Sequence, residues 1–107
     1  MSRPVILMDR AHEDLDENCR WWAEHRSLNQ AERWYVGFIA AIKVLSTDAE
    51  QHAIAAENAN FPFEIRQLNY GLGRRLTHRA IYTIRPEMIL VLRVQHLSQN
   101  EPTLDDL

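Results

Sequence analysis

Four residues in the C-terminal half carry the chemistry this sequence offers: Arg66, Arg79 and Arg93, one on each of three strand-like segments, and His96 at the end of the last. Side by side on a sheet, three guanidinium groups repel one another unless an anion lies between them. The planar arginine fork suits a phosphate or a carboxylate. With an RNA backbone as ligand, the arginines would hold the scissile phosphate and His96 would act as general acid or base near neutral pH. Residues 61–100 contain only Glu64 and Glu87 as acids, too few to pair every arginine. The alternative is that the arginines reach an acidic first helix or the tail and form ordinary ion pairs. Arg93 and His96 have opposite parity along a regular strand, so they share a site only if the strand bulges or ends between them.

The charge of −3 over 107 residues hides a segregation along the chain. Residues 1–60 carry −4, residues 61–100 carry +4 and residues 101–107 carry −3. Of the twelve basic residues only Lys43 is a lysine. A net acidic chain argues against a nucleic-acid partner, because neutralising phosphates takes Lys and Arg; the positive middle region removes that objection.

These side chains need a scaffold, and the hydrophobic pattern supplies one. Val5-Ile6-Leu7-Met8 reads as a short first strand. Asp9 is placed to cap a helix whose apolar positions, Ala11, Leu15, Cys19 and Trp22, recur every three to four residues. Glu13, Asp14, Asp16 and Glu17 sit in its first turns, where carboxylates complement the helix dipole. After Ser27-Leu28-Asn29, the residues Ala31, Trp34, Tyr35, Phe38, Ile42 and Leu45 predict a second amphipathic helix ending near Thr47, antiparallel to the first. Residues 48–60 are polar and Ala-rich without a period. From Phe61 the period becomes two: strands are predicted over 61–70, 76–84 and 88–96, separated by turns at Gly71-Leu72-Gly73 and Arg85-Pro86-Glu87.

The predicted architecture is α+β, in the order β-α-α-β-β-β, with an antiparallel helix hairpin on one face of a small antiparallel sheet and the other face free. One domain spans residues 1–97, and residues 98–107 form an acidic C-terminal tail. The single Cys19 excludes an internal disulfide and lies on the buried face of the first helix, as a structural thiol. No phosphate-binding glycine loop, His-Glu-x-x-His motif or cysteine pair occurs, and the five histidines lie on different elements, so neither a metal nor a cofactor is expected. No apolar run is longer than that of Met88 to Leu92, far short of the roughly 20 residues that span a bilayer, which points to a cytoplasmic protein.

The layout, with Asp14-Leu15, Phe63-Glu64-Ile65-Arg66-Gln67-Leu68, His78-Arg79-Ala80-Ile81-Tyr82 and Val91-Leu92-Arg93-Val94-Gln95-His96, resembles the RelE/ParE superfamily of bacterial toxins over about residues 5–97. The resemblance implies a plasmid-stabilisation-type toxin of a type II toxin–antitoxin module, neutralised by a cognate antitoxin. It implies one of two targets on the same fold: DNA gyrase, as in ParE-like members, or mRNA on the ribosome, cut by RelE-like endoribonucleases. Arg79 matches the arginine of the family's His-Arg-x-x-Tyr strand, Arg93 that of the last strand, and His96 the position of a catalytic histidine in some ribonuclease members. Under the ribonuclease reading these three are the catalytic residues. Glu64, Arg66, Arg79 and Arg93 are expected to contact antitoxin or target. Leu97 stands where those ribonucleases commonly have tyrosine, and the many lysines of ribosome-binding relatives are missing, which favours gyrase inhibition slightly. A third reading is a non-catalytic binding module that has lost toxicity.

Overall fold

A computed structural model describes residues 2–98, so the predicted tail lies, apart from Ser98, outside the described residues. Strand β1 (Val5–Leu7) leads into helix α1 (Asp9–His25) and, after a tight turn, helix α2 (Leu28–Asp48). Two 3-10 turns, Ala49–Gln51 and Ala56–Asn60, precede strands β2 (Arg66–Tyr70), β3 (His78–Ile84) and β4 (Ile89–His96). The order of elements is the one predicted.

Asp9 is the first helical residue, and Met8 precedes it as an N-cap with no side-chain hydrogen bond. Ser27 does cap its helix: its side chain accepts the Gln30 N–H at 3.0 Å, which satisfies one of the unpaired donors at the start of α2. The stripe Ala31, Trp34, Phe38, Ile42 and Leu45 is buried, and from Trp34 onward it packs with Ala11 and Leu15 of α1 and with Leu68, Ala80, Tyr82, Val91 and Val94 of the sheet. Each large apolar side chain buried in this way contributes about 1.5–3 kcal/mol. Tyr82 also donates its hydroxyl to the Ala49 carbonyl at 2.7 Å, tying the end of α2 to the centre of the sheet.

The sheet order is β1-β4-β3-β2. β2, β3 and β4 form the predicted antiparallel meander. β1, however, pairs with β4 in parallel, so the sheet is mixed and not purely antiparallel. The cause is topological. The helix pair runs out and back, so β2 starts with the same direction as β1. After two reversals β4 has that direction again, and it is β4 that lies beside β1.

The second face of the sheet is not free. The later part of the connection between α2 and β2, residues 53–65, crosses it; of these, 53–60 show no period in sequence. Ile54 bridges Arg66, and Ala55, Phe61 and Ile65 pack on Ile81 and Leu92 as a second, smaller core. The predicted strand 61–70 therefore shortens to 66–70, because its first half leaves the sheet to cover that face.

Candidate functional site

The sheet separates the arginines instead of aligning them. Arg66 is in register with Tyr82, and its parity is that of Leu68, which packs into the helix-side core. Its Nη1 donates to the Glu50 and His52 carbonyls at 3.2 and 2.7 Å, and its Nε donates to Glu64 Oε1 at 2.9 Å. Arg66 thus closes the chain where α2 ends, and Glu64, half exposed, is its partner.

Arg79 has the parity of Ile81, on the opposite face. It is 8% exposed, and its fork is filled by a carboxylate that is 1% exposed, Glu57. Arg79 Nη1 donates to Glu57 Oε1 and to Gln67 Oε1, both at 2.9 Å. Nη2 donates to Glu57 Oε2 and, at 3.4 Å, to Gln95 Oε1. The Arg79 guanidinium holds the Glu57 carboxyl below its usual range, against the opposing effect of burial.

Arg93 follows a β-bulge. Tyr82 pairs with Val91 but Ile81 pairs with Arg93, so Leu92 is the extra residue and the side-chain alternation of β4 inverts there. Ile89 and Val91 face the helices before the bulge, and Val94 does so after it. β1 ends opposite Val91, which leaves the next stretch of that strand edge to α1. Asp14 occupies it: Oδ2 accepts the Val94 N–H at 2.9 Å and Arg93 Nε at 2.7 Å, and Oδ1 accepts Arg93 Nη2 at 3.1 Å.

His96 follows the inverted alternation and meets His78, ring centroids 5.1 Å apart. Its Nδ1 accepts the Ser98 N–H at 3.1 Å. Arg93 and His96 nevertheless line one cleft: the bulge precedes both and leaves their parity opposite, with Arg93 in register with Ile81 and His96 with His78, but β1 has ended opposite Val91, and Arg93 turns over that free edge to Asp14. That cleft, of about 500 Å³, is lined on one side by Asp14, Asn18, Trp21 and Trp22 of α1 with Arg26 just beyond it, and on the other by Thr77, His78, Arg93, His96 and Ser98. Arg79 lies on the opposite face of the sheet, so the sequence-predicted set Arg79, Arg93 and His96 is not gathered at one point.

His78 forms the floor of the cleft, 4% exposed. Asn18 donates its amide to the Asp14 carbonyl at 2.8 Å, which turns Asn18 Oδ1 toward His78 Nε2 at 3.1 Å. Thr77 Oγ1 lies 2.7 Å from His78 Nδ1. The pattern assigns the proton to Nε2, with Thr77 donating to Nδ1. Burial, and next the neighbouring His96, push the His78 pKa down to about 4 from 6.5. The depressed value means that the unfolded chain takes up this proton first. The contribution of neutral His78 to stability is full above about pH 6.5 and is lost as pH falls toward about 4. Thermal unfolding across that window should show a steeper decline for the wild type than for His78→Gln; equal slopes would remove this role.

Two of the decisive partners were not legible as site residues. Glu57 stands in a segment with no period and gave no signal beyond being an acid upstream of an arginine-rich region. Asp14 did give one, since it falls between Ala11 and Leu15 at the margin of the buried stripe, although it also suits a solvated helix start. Among the described residues no cluster of three or more His, Cys, Asp or Glu side chains could hold a metal ion, and no helix is long and apolar enough to cross a membrane.

No protein-family model matches the sequence, and no curated protein matches it. A solved structure does. A chain described as "Chromosomal ParDE TA system from P. aeruginosa" superposes with a TM-score of 0.72, covering 91% of this chain and 98% of that one at 18% sequence identity. The two chains share one fold. The β-α-α-β-β-β layout expected from the RelE/ParE resemblance is thus the fold of a chain from a ParDE system, and it extends over nearly all of this protein.

Proposed function

We propose that this protein is the toxin of a type II toxin–antitoxin module, held inactive in the cytoplasm by a cognate antitoxin, and that it acts in the ParE-like manner on DNA gyrase. The observation that carries the toxin reading is the fold shared, nearly end to end, with a chain of the P. aeruginosa ParDE system. Residues 1–97 would be the toxin domain and residues 98–107 an acidic tail.

The lean toward gyrase rests on the arginines. A ribonuclease of the RelE-like kind needs its cationic and acid–base groups to converge on one phosphate. Here Arg79 is committed to Glu57 on the second face of the sheet, while Arg93, bound to Asp14 at the edge of β4, lines with His96 a cleft against α1. Leu97 and the scarcity of lysine point the same way. The RelE-like reading keeps one supporting feature, the proximity of Arg93 and His96 in that cleft. A binding module without toxicity is the remaining alternative.

Purified protein added to a DNA supercoiling reaction should inhibit gyrase, and a ribosome-loaded translation extract should keep its mRNA intact. Cleaved mRNA, with cleavage lost in His96→Ala and supercoiling unaffected, would overturn the gyrase assignment.

A further inference from the structure

The segment that covers the second face of the sheet combines backbone pairing at a sheet edge, apolar packing and an ion pair, the contacts by which a peptide is recognised, with its acid carried on the 3-10 turn Ala56–Asn60. Its backbone pairs with the outer edge of β2: the Gln67 N–H donates to the Ala53 carbonyl and the Ala55 N–H donates to the Ile65 carbonyl, both at 3.0 Å. Its apolar side chains Ala55 and Phe61 pack on Ile81 and Leu92. Its single acid, Glu57, fills the fork of Arg79 with both oxygens. Strand addition to a sheet edge supplies affinity in such recognition, and side-chain pockets supply specificity.

A buried ion pair is a poor way simply to stabilise a lid, because desolvation offsets most of its attraction and apolar side chains would fill the same space at less cost. What the pair does provide is selectivity for a carboxylate. With Glu57 withdrawn, Arg79 would be left with the amide oxygens of Gln67 and Gln95. It would then be a nearly buried cation without a counter-charge, and whatever replaced the segment would have to bring an acid.

We propose that residues 53–61 are an internal stand-in for a partner, and that the groove they fill, floored by Ile81 and Leu92 and headed by Arg79, accepts in their place an acidic and apolar peptide that is strand-like where it meets β2 and turned at its acid. That the partner is an antitoxin rests on the proposed toxin reading; the groove does not. Asn58, whose Oδ1 accepts the Ile65 N–H at 2.8 Å, is the latch that holds the segment down.

Competition between the segment and a peptide has a distinctive sign. The apparent affinity of a ligand is its intrinsic affinity multiplied by the fraction of molecules whose site is open, so loosening the segment should strengthen binding. The probe is a labelled peptide copying residues 53–63 of this chain, titrated by fluorescence anisotropy into the full-length protein. Glu57→Gln and Asn58→Ala should each bind it at least about tenfold more tightly than the wild type. Combining Arg79→Gln with Asn58→Ala should abolish that gain. If both single variants are folded by far-UV circular dichroism and neither binds more tightly than the wild type, the segment is a fixed part of the fold and the proposal fails. Because the probe comes from this chain, that failure is separate from any failure of the toxin reading.

Discussion

Replacing Glu57 with Ala should lower the free energy of unfolding by about 3–5 kcal/mol, the range for breaking a buried pair by removing one partner. The reason lies in what remains. Arg79 is 8% exposed, and the variant leaves its charge facing only amide oxygens, with no route for the guanidinium to reach bulk water while the Ala55 and Phe61 contacts persist. Such a loss is a large share of the roughly 5–15 kcal/mol that holds a domain of this size together. The companion measurement is the double replacement Glu57→Leu with Arg79→Met. Removing both charges and filling the space with apolar atoms should be less damaging than Glu57→Ala alone, since the desolvation cost disappears with the pair. Urea unfolding at neutral pH gives both values. A Glu57→Ala variant within about 0.5 kcal/mol of the wild type would mean that the guanidinium is effectively solvated.

Asp14→Ala should be the other costly change, at about 2–4 kcal/mol. One carboxylate accepts from Arg93 through two nitrogens and from the Val94 backbone N–H. The Val94 donor is buried, and an unsatisfied buried group of this kind costs about 1–3 kcal/mol, with charge-assisted bonds adding about 1.5–3 kcal/mol before the partner relaxes. Arg93 and Asp14 are each 12% exposed at the side chain, so water replaces little of what is lost. Asp14→Asn retains an acceptor and should cost less than Asp14→Ala. Amide hydrogen exchange supplies a local readout: the Val94 N–H should lose protection more than the Ile89 N–H of the same strand, which donates to the Pro4 carbonyl at 2.9 Å. Equal protection in variant and wild type would show that Asp14 does not hold the end of β4.

The helices were readable because their burial follows a period of 3.6: from Ala31 to Leu45 every residue of the predicted stripe except half-buried Tyr35 is buried. The meander was readable from its period of two and its turns. The parallel pairing of β1 with β4 was not, because three residues of strand do not state which edge or direction they will join. The bulge at Leu92 was also invisible, since Met88 to Leu92 is apolar throughout and an inverted alternation leaves no mark in such a run. The site suffered from counting charge by region. The arginines of residues 61–100 looked unpaired because Glu57 and Asp14 are distant in sequence, yet the fold brings them within hydrogen-bond reach of Arg79 and Arg93. The alternative in which the arginines reach the acidic first helix is what Asp14 does for Arg93.

These pairings change what the positive middle region means. Arg66, Arg79 and Arg93 are matched by Glu64, Glu57 and Asp14, so they are parts of the scaffold first. An antitoxin would meet the Arg66–Glu64 pair at the surface and would reach Arg79 only by taking the place of Glu57.

The most direct test of the central claim is induced expression in a bacterial host without any partner, following growth and the amount of folded protein together. Growth should stop on induction and resume when the reading frame adjacent to this gene is co-expressed, with the two products purifying as one complex. Unimpaired growth in the presence of abundant folded protein would contradict the toxin assignment and favour a non-toxic binding module.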